Sequence, residues 1–509
     1  MRIRARLSTA LRMLAIAALA MVSFNFVAKR FMAENKQNMA GRGSIVVIGG
    51  GLAGMSAALE ALHQARNTVV TLLEKEARLG GNSAKASSGI NGAETRTQAA
   101  QGIEDSIKTF AQDTTASGRG RSSKILVDKL TQDSAQAVAW LQDLGVDLRI
   151  LARLGGHSVA RTHRLPEING RAQPVGWSIV STLSKHLDKM WSGGSGRLRI
   201  VTNAQATALL ADAADKGVSG VEFLANGKVE RVQANALVLA TGGFAGAHAG
   251  FLDKYAPQVA ALATTNGPFA TGDGLQLGTA LGADLVDMDQ VQVHPTGFVR
   301  PSDVDNPTKF LAAEALRGAG GVLLNARGMR FVDELDTRDR VTAAITSNCS
   351  APDTRAHHSS TGTQEGPDAA AFLVLTQEAA DRFGHGALAF YERMGLISQA
   401  AGMEELAKAL RVNEATLRQS VSEASMYFWG VVTPVTHYCM GGLRFDVKAR
   451  VLQASGQPIR GLFAAGEVTG GLHGANRLAG NSLLECVVFG REAGRQASAF
   501  ASLVEGSNL

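Results

Sequence analysis

Four residues in the second half of this chain have the types and neighbours that chemistry on a small dianion needs: His294 in His-Pro-Thr, Arg338 in Thr-Arg-Asp, His437 in His-Tyr-Cys-Met-Gly-Gly, and Arg477 in Gly-Ala-Asn-Arg-Leu-Ala-Gly-Asn. Arginine offers a planar fork of donors that matches a carboxylate, and imidazole adds a hydrogen bond without requiring a full charge. Taken singly, such residues are more often structural or solvated. As a set they supply cationic and hydrogen-bonding groups suited to a small dianion. Glu314 and Arg317 stand at i,i+3 spacing on a short helical pattern, where the plain reading is a surface ion pair. The adjacent His357 and His358 fall in a polar stretch, 351–367, which reads as an exposed loop rather than a metal site.

Such residues need a frame, and the frame begins at Ser44. The apolar run Ser44 to Ile48 is followed by Gly49-Gly50-Gly51-Leu52-Ala53-Gly54, an Ala-rich helical stretch through His63, and a second apolar run, Val69 to Leu73, that ends at Glu74. This is the order of a βαβ dinucleotide clasp. Gly49 permits the tight turn, Gly51 lets a pyrophosphate approach the backbone, Gly54 lets helix and strand pack closely, and Glu74 can accept from ribose hydroxyls. The helix N-terminus turns its free N–H groups toward the phosphates. The loop from Leu79 to Asn91 is small and polar enough to lie against a flat ligand.

Further along, the spacing predicts one amphipathic helix over Ile125 to Leu144. Strands are expected at Leu198 to Val201, Val218 to Phe223 and Ala236 to Ala240, with Asn226-Gly227 as a hairpin turn and Thr241-Gly242-Gly243 as a glycine strand end where backbone can meet a cofactor. Helices are expected at Glu404 to Leu410 and Asn413 to Met426. The closing segment, from Gly461 through Glu467 to Arg477 and Glu485, reads again as strand, glycine turn and helix. It does not repeat the first fingerprint, so it is expected to complete the first domain from the far end of the chain, with the middle as an insertion.

Bulk properties exclude several classes. The chain has 509 residues, 45% hydrophobic and 19% charged, ordinary for one or two globular domains. Its net charge of +6 comes from a leader. Setting aside Arg2, Arg4, Arg6, Arg12, Lys29 and Arg30 from 51 basic residues leaves 45 against 45 acids, so the body has no nucleic-acid signature. The leader is acid-free through residue 33, with an apolar core from Met13 to Val27 that Ser23 and Asn25 interrupt. It reads as an address, mitochondrial ahead of endoplasmic reticulum or a membrane anchor. Cys349, Cys439 and Cys486 form no CxxC or haem-attachment pattern.

From about Ser44 to Ala499 the chain resembles the soluble fumarate reductase flavoproteins, relatives of the succinate dehydrogenase flavoprotein subunit. The resemblance rests on motifs that recur in order: GGGLAG, GGNSAKASSGIN, ATGGF, ATGDG, HPTG, EALRGAGG, ELDTRD, HYCMGG, AAGEVTGG and GANRLAGNS. It implies an α/β fold: a Rossmann-like FAD-binding domain made of residues 44–288 and 438–509, interrupted by an α+β capping domain, 289–437, with 1–43 as a targeting leader. It implies reduction of fumarate to succinate, with hydride from flavin N5 and a proton from Arg338 that Glu314 and Arg317 replenish. Ser88, His294 and Glu314 would hold one substrate carboxylate, and His437, Arg477 and the Gly480 backbone the other. FAD would rest on Gly49, Gly51, Leu52, Ala53, Gly54, Glu74, Lys75, Asn82, Ser83, Gly89, Ile90, Thr241, Gly242, Asp273, Glu467, Ser482 and Leu483. Relatives with covalent flavin carry a linking histidine where this chain reads Asn82-Ser83-Ala84, so noncovalent FAD is expected and no metal. Two departures stand out: Ala313 where some relatives have a carboxylate-binding threonine, and Cys439 where threonine is common. The electron donor stays unassigned, with free reduced flavin a candidate. The competing expectations are a flavin enzyme for another unsaturated acid, such as urocanate, or for a ketosteroid, and a non-catalytic flavin-binding partner tethered by the leader.

Overall fold

Ser44–Ile48 and Val69–Leu73 are apolar apart from Ser44 and Thr71 and buried along almost their whole length, the signature of a parallel sheet covered on both faces. The computed structural model describes residues 43–168, 173–212, 217–246, 250–349 and 369–506. The leader through residue 42 and the 351–367 loop with His357 and His358 lie outside the described residues. Six strands form the first sheet in the order Arg450–Leu452, Pro458–Ala464, Ala236–Leu239, Ser44–Ile48, Val69–Leu73 and Leu198–Val201. Only the first pair is antiparallel. Val47 sits between Val238 and Leu72, and Val238 in turn meets Phe463. The closing segment therefore enters the sheet that the opening segment begins, as its pattern predicts.

One face of this sheet is covered by the helices Leu52–Gln64, Val175–Ser192 and Asn481–Gly506, whose apolar residues share one core with it. Two glycines let the last helix lie close against the first. A Cβ at Gly490 would stand 2.6 Å from the Ala53 carbonyl oxygen, and one at Gly494 only 2.3 Å from that of Ala57. The other face carries the hairpin sheet Ala204–Ala211, Val218–Ala225 and Lys228–Gln233. Its turn is Asn226-Gly227, both at positive φ, the geometry favoured in two-residue hairpins.

The middle of the chain builds a second, antiparallel sheet: Phe310–Leu311, Val291–Phe298, Tyr427–Cys439, Ala371–Thr376 and Val322–Leu324 in order, with Ser398–Ala400 also on Tyr427–Cys439. Helices flank it on both sides around two separate apolar clusters. The strands that enter and leave this unit run side by side, Val291 facing Cys439.

Two helix expectations need correction. Ile125 to Leu144 is two helices, Lys124–Gln132 and Ser134–Asp143, broken at Asp133. Thr131 donates to the Val127 carbonyl, Ser134 donates to that of Thr131 and accepts from the Ala93 N–H, so side chains compete with the helical ladder there. Past Asn413 the helix stops at Ser420, because the Tyr427 hydroxyl accepts from the Ala424 N–H and donates to the Ser422 carbonyl, folding the chain into its next strand.

Candidate active site

A cavity of about 730 Å³ runs from the glycine turn to the edge of the antiparallel-sheet unit. The roles assigned to the three turn glycines can be tested on the backbone. Gly49 has φ +106°, and a Cβ there would meet the Ala240 carbonyl oxygen at 2.3 Å. At Gly54 a Cβ would lie 1.9 Å from the Gly49 carbonyl oxygen. At Gly51 it would meet nothing nearer than Ser83 Oγ at 3.9 Å, so its open side faces the cavity. Glu74 accepts from the Gly50 N–H at 2.7 Å and from the Glu76 N–H at 2.8 Å, which braces the turn. Burial pushes its carboxyl up.

Most of the expected cofactor residues line this one space: Gly49, Gly51, Leu52, Ala53, Glu74, Lys75, Asn82, Ser83, Gly89, Thr241, Gly242, Asp273, Glu467, Ser482 and Leu483. Gly54 and Ile90 sit behind the wall, Gly54 at the helix–strand crossing and Ile90 fully buried. Asn82 donates to Asn266 Oδ1 at 2.6 Å and accepts from the Gly267 N–H at 3.0 Å, tying its loop to the opposite wall. Lys75 bridges Thr271 and Asp273 at 2.8 and 2.9 Å. The helices Leu52–Gln64 and Asn481–Gly506 both begin at this cavity with no acidic residue in their first turns. Two helix N-termini free of acidic residues suit a pyrophosphate-bearing dinucleotide. The residues present fit FAD.

The charged constellation gathers at the far end. His294 and His437 lie on the paired strands Val291–Phe298 and Tyr427–Cys439, their ring centres 5.2 Å apart. The register explains why both turn inward. Gln292 faces Tyr438 while Val293 faces Thr436, which leaves His437 as an extra residue, and a second irregularity follows His294, taking up Pro295. Bulges of this kind re-aim side chains next to sites, and they accommodate a proline in a strand. His294 Nδ1 accepts from the Thr296 N–H at 3.2 Å, which assigns the remaining proton to Nε2. Thr265 Oγ1 holds His437 Nδ1 at 2.7 Å. Burial, reinforced by Arg338 and Arg477, holds both imidazoles well below the usual histidine range.

Arg338 opens the helix Arg338–Asn348 and points its Nε at Glu314 Oε2, 2.8 Å away. Glu314 also accepts from the Gly155 N–H at 2.9 Å and lies 3.9 Å from Arg317. All three are buried, so the surface-pair reading of Glu314 and Arg317 does not hold. Burial works against the Glu314 carboxylate, yet Arg338 and Arg317 overcome it and keep the group below the usual carboxylate range. Arg477 stacks its guanidinium 4.5 Å from the centre of the Tyr438 ring, and its backbone N–H donates to Gln292 Oε1 at 2.9 Å. Burial, then Arg338, lowers it to about 10, so it remains charged at neutral pH.

Ser88, Arg338, His437, Arg477 and Gly480 line the cavity; His294 stands directly behind His437, and Glu314 and Arg317 behind Arg338. Arg338 Nη1, Arg477 Nε and His294 Nε2 are buried without a hydrogen-bond partner among the described residues. Buried donors are seldom left unpaired in the absence of a ligand to receive them. Sequence reasoning did not identify Arg164, Phe269, Lys309 or Tyr391, which also form the wall and belong to none of the motifs quoted for the site. Cys486 is buried and lines the cavity as well. Cys439 is buried, its sulfur accepting from the Phe244 N–H at 3.2 Å, and burial pushes its thiol far up.

The chain matches the FAD binding domain family over residues 44–483. It is 44% identical over 466 residues to Fumarate reductase 1 of Saccharomyces cerevisiae, covering 88% of this chain and 97% of that protein. The fumarate reductase of Schizosaccharomyces pombe is 40% identical over 482 residues, 89% of each protein. Among solved structures, the open conformation of a flavocytochrome c3 fumarate reductase matches with a TM-score of 0.70 at 30% identity, covering 93% of this chain and 81% of the other.

Proposed function

The chain belongs to the FAD-dependent soluble fumarate reductase flavoproteins, and from that premise we propose that it pins fumarate by its two carboxylates and protonates the reduced alkene from Arg338. The observation that carries this reading is the pair of unpaired buried donors on Arg338 and Arg477, which line one end of a dinucleotide cavity, with the unpaired His294 Nε2 directly behind His437. FAD, when bound, supplies the hydride. Ser88 and His294 take one carboxylate; His437, Arg477 and the Gly480 N–H take the other. Clamping both ends fixes the double bond and can twist one carboxylate out of conjugation, which makes the alkene carbon more electrophilic.

As negative charge grows on the neighbouring carbon, Arg338 meets it with fixed positive charge and then with a proton. A guanidinium is a weak acid, but a carbanion-like centre is far more basic than water. Once Arg338 has given up its proton, Glu314, ionised at rest beside it, takes a proton from Arg317 and hands it on to Arg338. Arg317 donates to the Glu334 backbone carbonyl, and the Glu334 carboxylate pairs with the half-exposed Arg330, which marks the side from which solvent would replace the proton Arg317 gives up. The unit carrying Arg338, from 289 to 437, acts as a cap on the flavin domain formed by 44–288 and 438–509, and its closure excludes water. FAD is held noncovalently: of the described residues that line the cavity, His437 is the sole histidine, and it sits at the substrate end. Residues 1–33, basic and acid-free, support mitochondrial import.

The test is anaerobic. Purified protein with reduced methyl viologen should oxidise the dye rapidly on addition of fumarate, forming succinate with two electrons and two protons consumed per molecule. Rapid oxidation by urocanate with none by fumarate would reassign the substrate.

A further inference from the structure

We propose that His157 is a positioning residue that aims the Gly480 N–H at a substrate carboxylate, with the Ala479 carbonyl as its lever. This rests on the reading that Gly480 serves a carboxylate. The carbonyl oxygen of Ala479 receives two donors, Asn91 Nδ2 at 2.7 Å and His157 Nε2 at 2.9 Å. In a planar trans peptide the carbonyl and the following N–H point in opposite directions. Holding the Ala479 oxygen on one side therefore directs the Gly480 N–H to the other, and Gly480 lines the cavity. The residue must be glycine: φ is +81°, and a Cβ would lie 2.3 Å from Asn91 Oδ1.

The tautomer of His157 follows from its partners. Nδ1 stands 3.2 Å from Arg161 Nη1, which can only donate, so Nδ1 accepts and the proton is on Nε2, facing the carbonyl. Arg161 is wholly buried and clamped by Asp105, at 2.9 Å from both Nε and Nη2, and by Asp113. None of these three lines the cavity. A buried ion cluster of this kind is weak evidence for stability by itself, but it holds the imidazole in one orientation. The same turn reaches the other end of the site, since the Gly155 N–H donates to Glu314 Oε1 at 2.9 Å. A Cβ at Gly156 would meet Leu478 Cδ1 at 3.1 Å. One short turn thus registers the carboxylate-facing peptide against the group beside Arg338.

The experiment compares two variants of the full-length flavoprotein. His157→Gln keeps an N–H at the reach of Nε2, whereas His157→Asn stops one atom short. The Gln variant should hold its KM for fumarate within about threefold of wild type, and the Asn variant should raise it about tenfold, with kcat little changed and flavin content equal, as expected for a weakened hydrogen bond to a charged group. Equal KM values in the two variants overturn the proposal. So does loss of flavin or of folding in the Asn variant, which would make His157 part of the scaffold. Wild-type protein inactive on fumarate would instead sink the functional reading, and this inference with it.

Discussion

Replacing Arg338 with lysine separates charge from geometry at the proposed proton donor. The arginine does two things at once: Nε holds Glu314 at 2.8 Å, and Nη1, buried and unpartnered, is left for the substrate. A lysine has one ammonium on a flexible stem and cannot do both. If it stays on Glu314, the substrate carbon loses its acid. If it turns to the substrate, Glu314, only 2% exposed, keeps the Gly155 N–H and an Arg317 3.9 Å away. Breaking a buried pair of this kind costs about 3–5 kcal/mol, and losing a positioned general acid costs about 10²–10⁴ in rate. Either way kcat should fall by at least about a hundredfold, while KM moves far less because the positive charge is kept. The assay is fumarate-dependent oxidation of reduced viologen at matched flavin absorbance. An Arg338→Lys enzyme that keeps more than about a tenth of wild-type kcat would refute the reasoning.

Two further outcomes follow from the same geometry. Gly54→Ala puts a methyl 1.9 Å from the Gly49 carbonyl oxygen, so the turn must move and the purified variant should lack flavin colour; full flavin content would show that the helix–strand contact yields. Stability should fall with acid below pH 6.5. His157 and His163 are lowered to about 4, first by burial, so between pH 6.5 and 4 the unfolded chain binds protons that the folded one does not, and each costs about 2 kcal/mol at pH 5. His294 and His437, held further down, act in the same direction, and together the four imidazoles outweigh Glu74 and Glu467, raised by burial, the latter to about 7, which act the other way. Calorimetry of the apoprotein at pH 7 and pH 5 should show a clearly lower Tm at pH 5, and an unchanged Tm would mean that these imidazoles already carry protons when folded.

The features legible in the sequence were those whose cause is local. A glycine turn after an apolar run, Asn226-Gly227 between two alternating segments, and the strand–turn–helix at Pro458 to Gly506 each carry their own signal. The four charged residues could be collected by type and neighbours, but not the reason they converge. The bulge that frees His437 exists only because Tyr427–Cys439 is paired with a strand far away in sequence, so nothing local marks it. Gly490 and Gly494 carry no local signal of their role, since what demands glycine there is the backbone of the facing helix at Ala53 and Ala57. Apolar spacing predicts one helix through Asp133 because it does not see the Thr131 and Ser134 hydroxyls taking backbone partners. Arg164, Lys309 and Tyr391 reach the cavity wall by tertiary packing alone.

Crotonate against fumarate is the most direct measurement of the two-ended clamp, because crotonate keeps the alkene and one carboxylate and replaces the other with a methyl group. Losing the partners of one carboxylate forfeits two or more charge-assisted hydrogen bonds, each about 1.5–3 kcal/mol, so kcat/KM for crotonate should be lower by at least about a hundredfold. Values within tenfold of each other would contradict a site that grips both ends of its substrate.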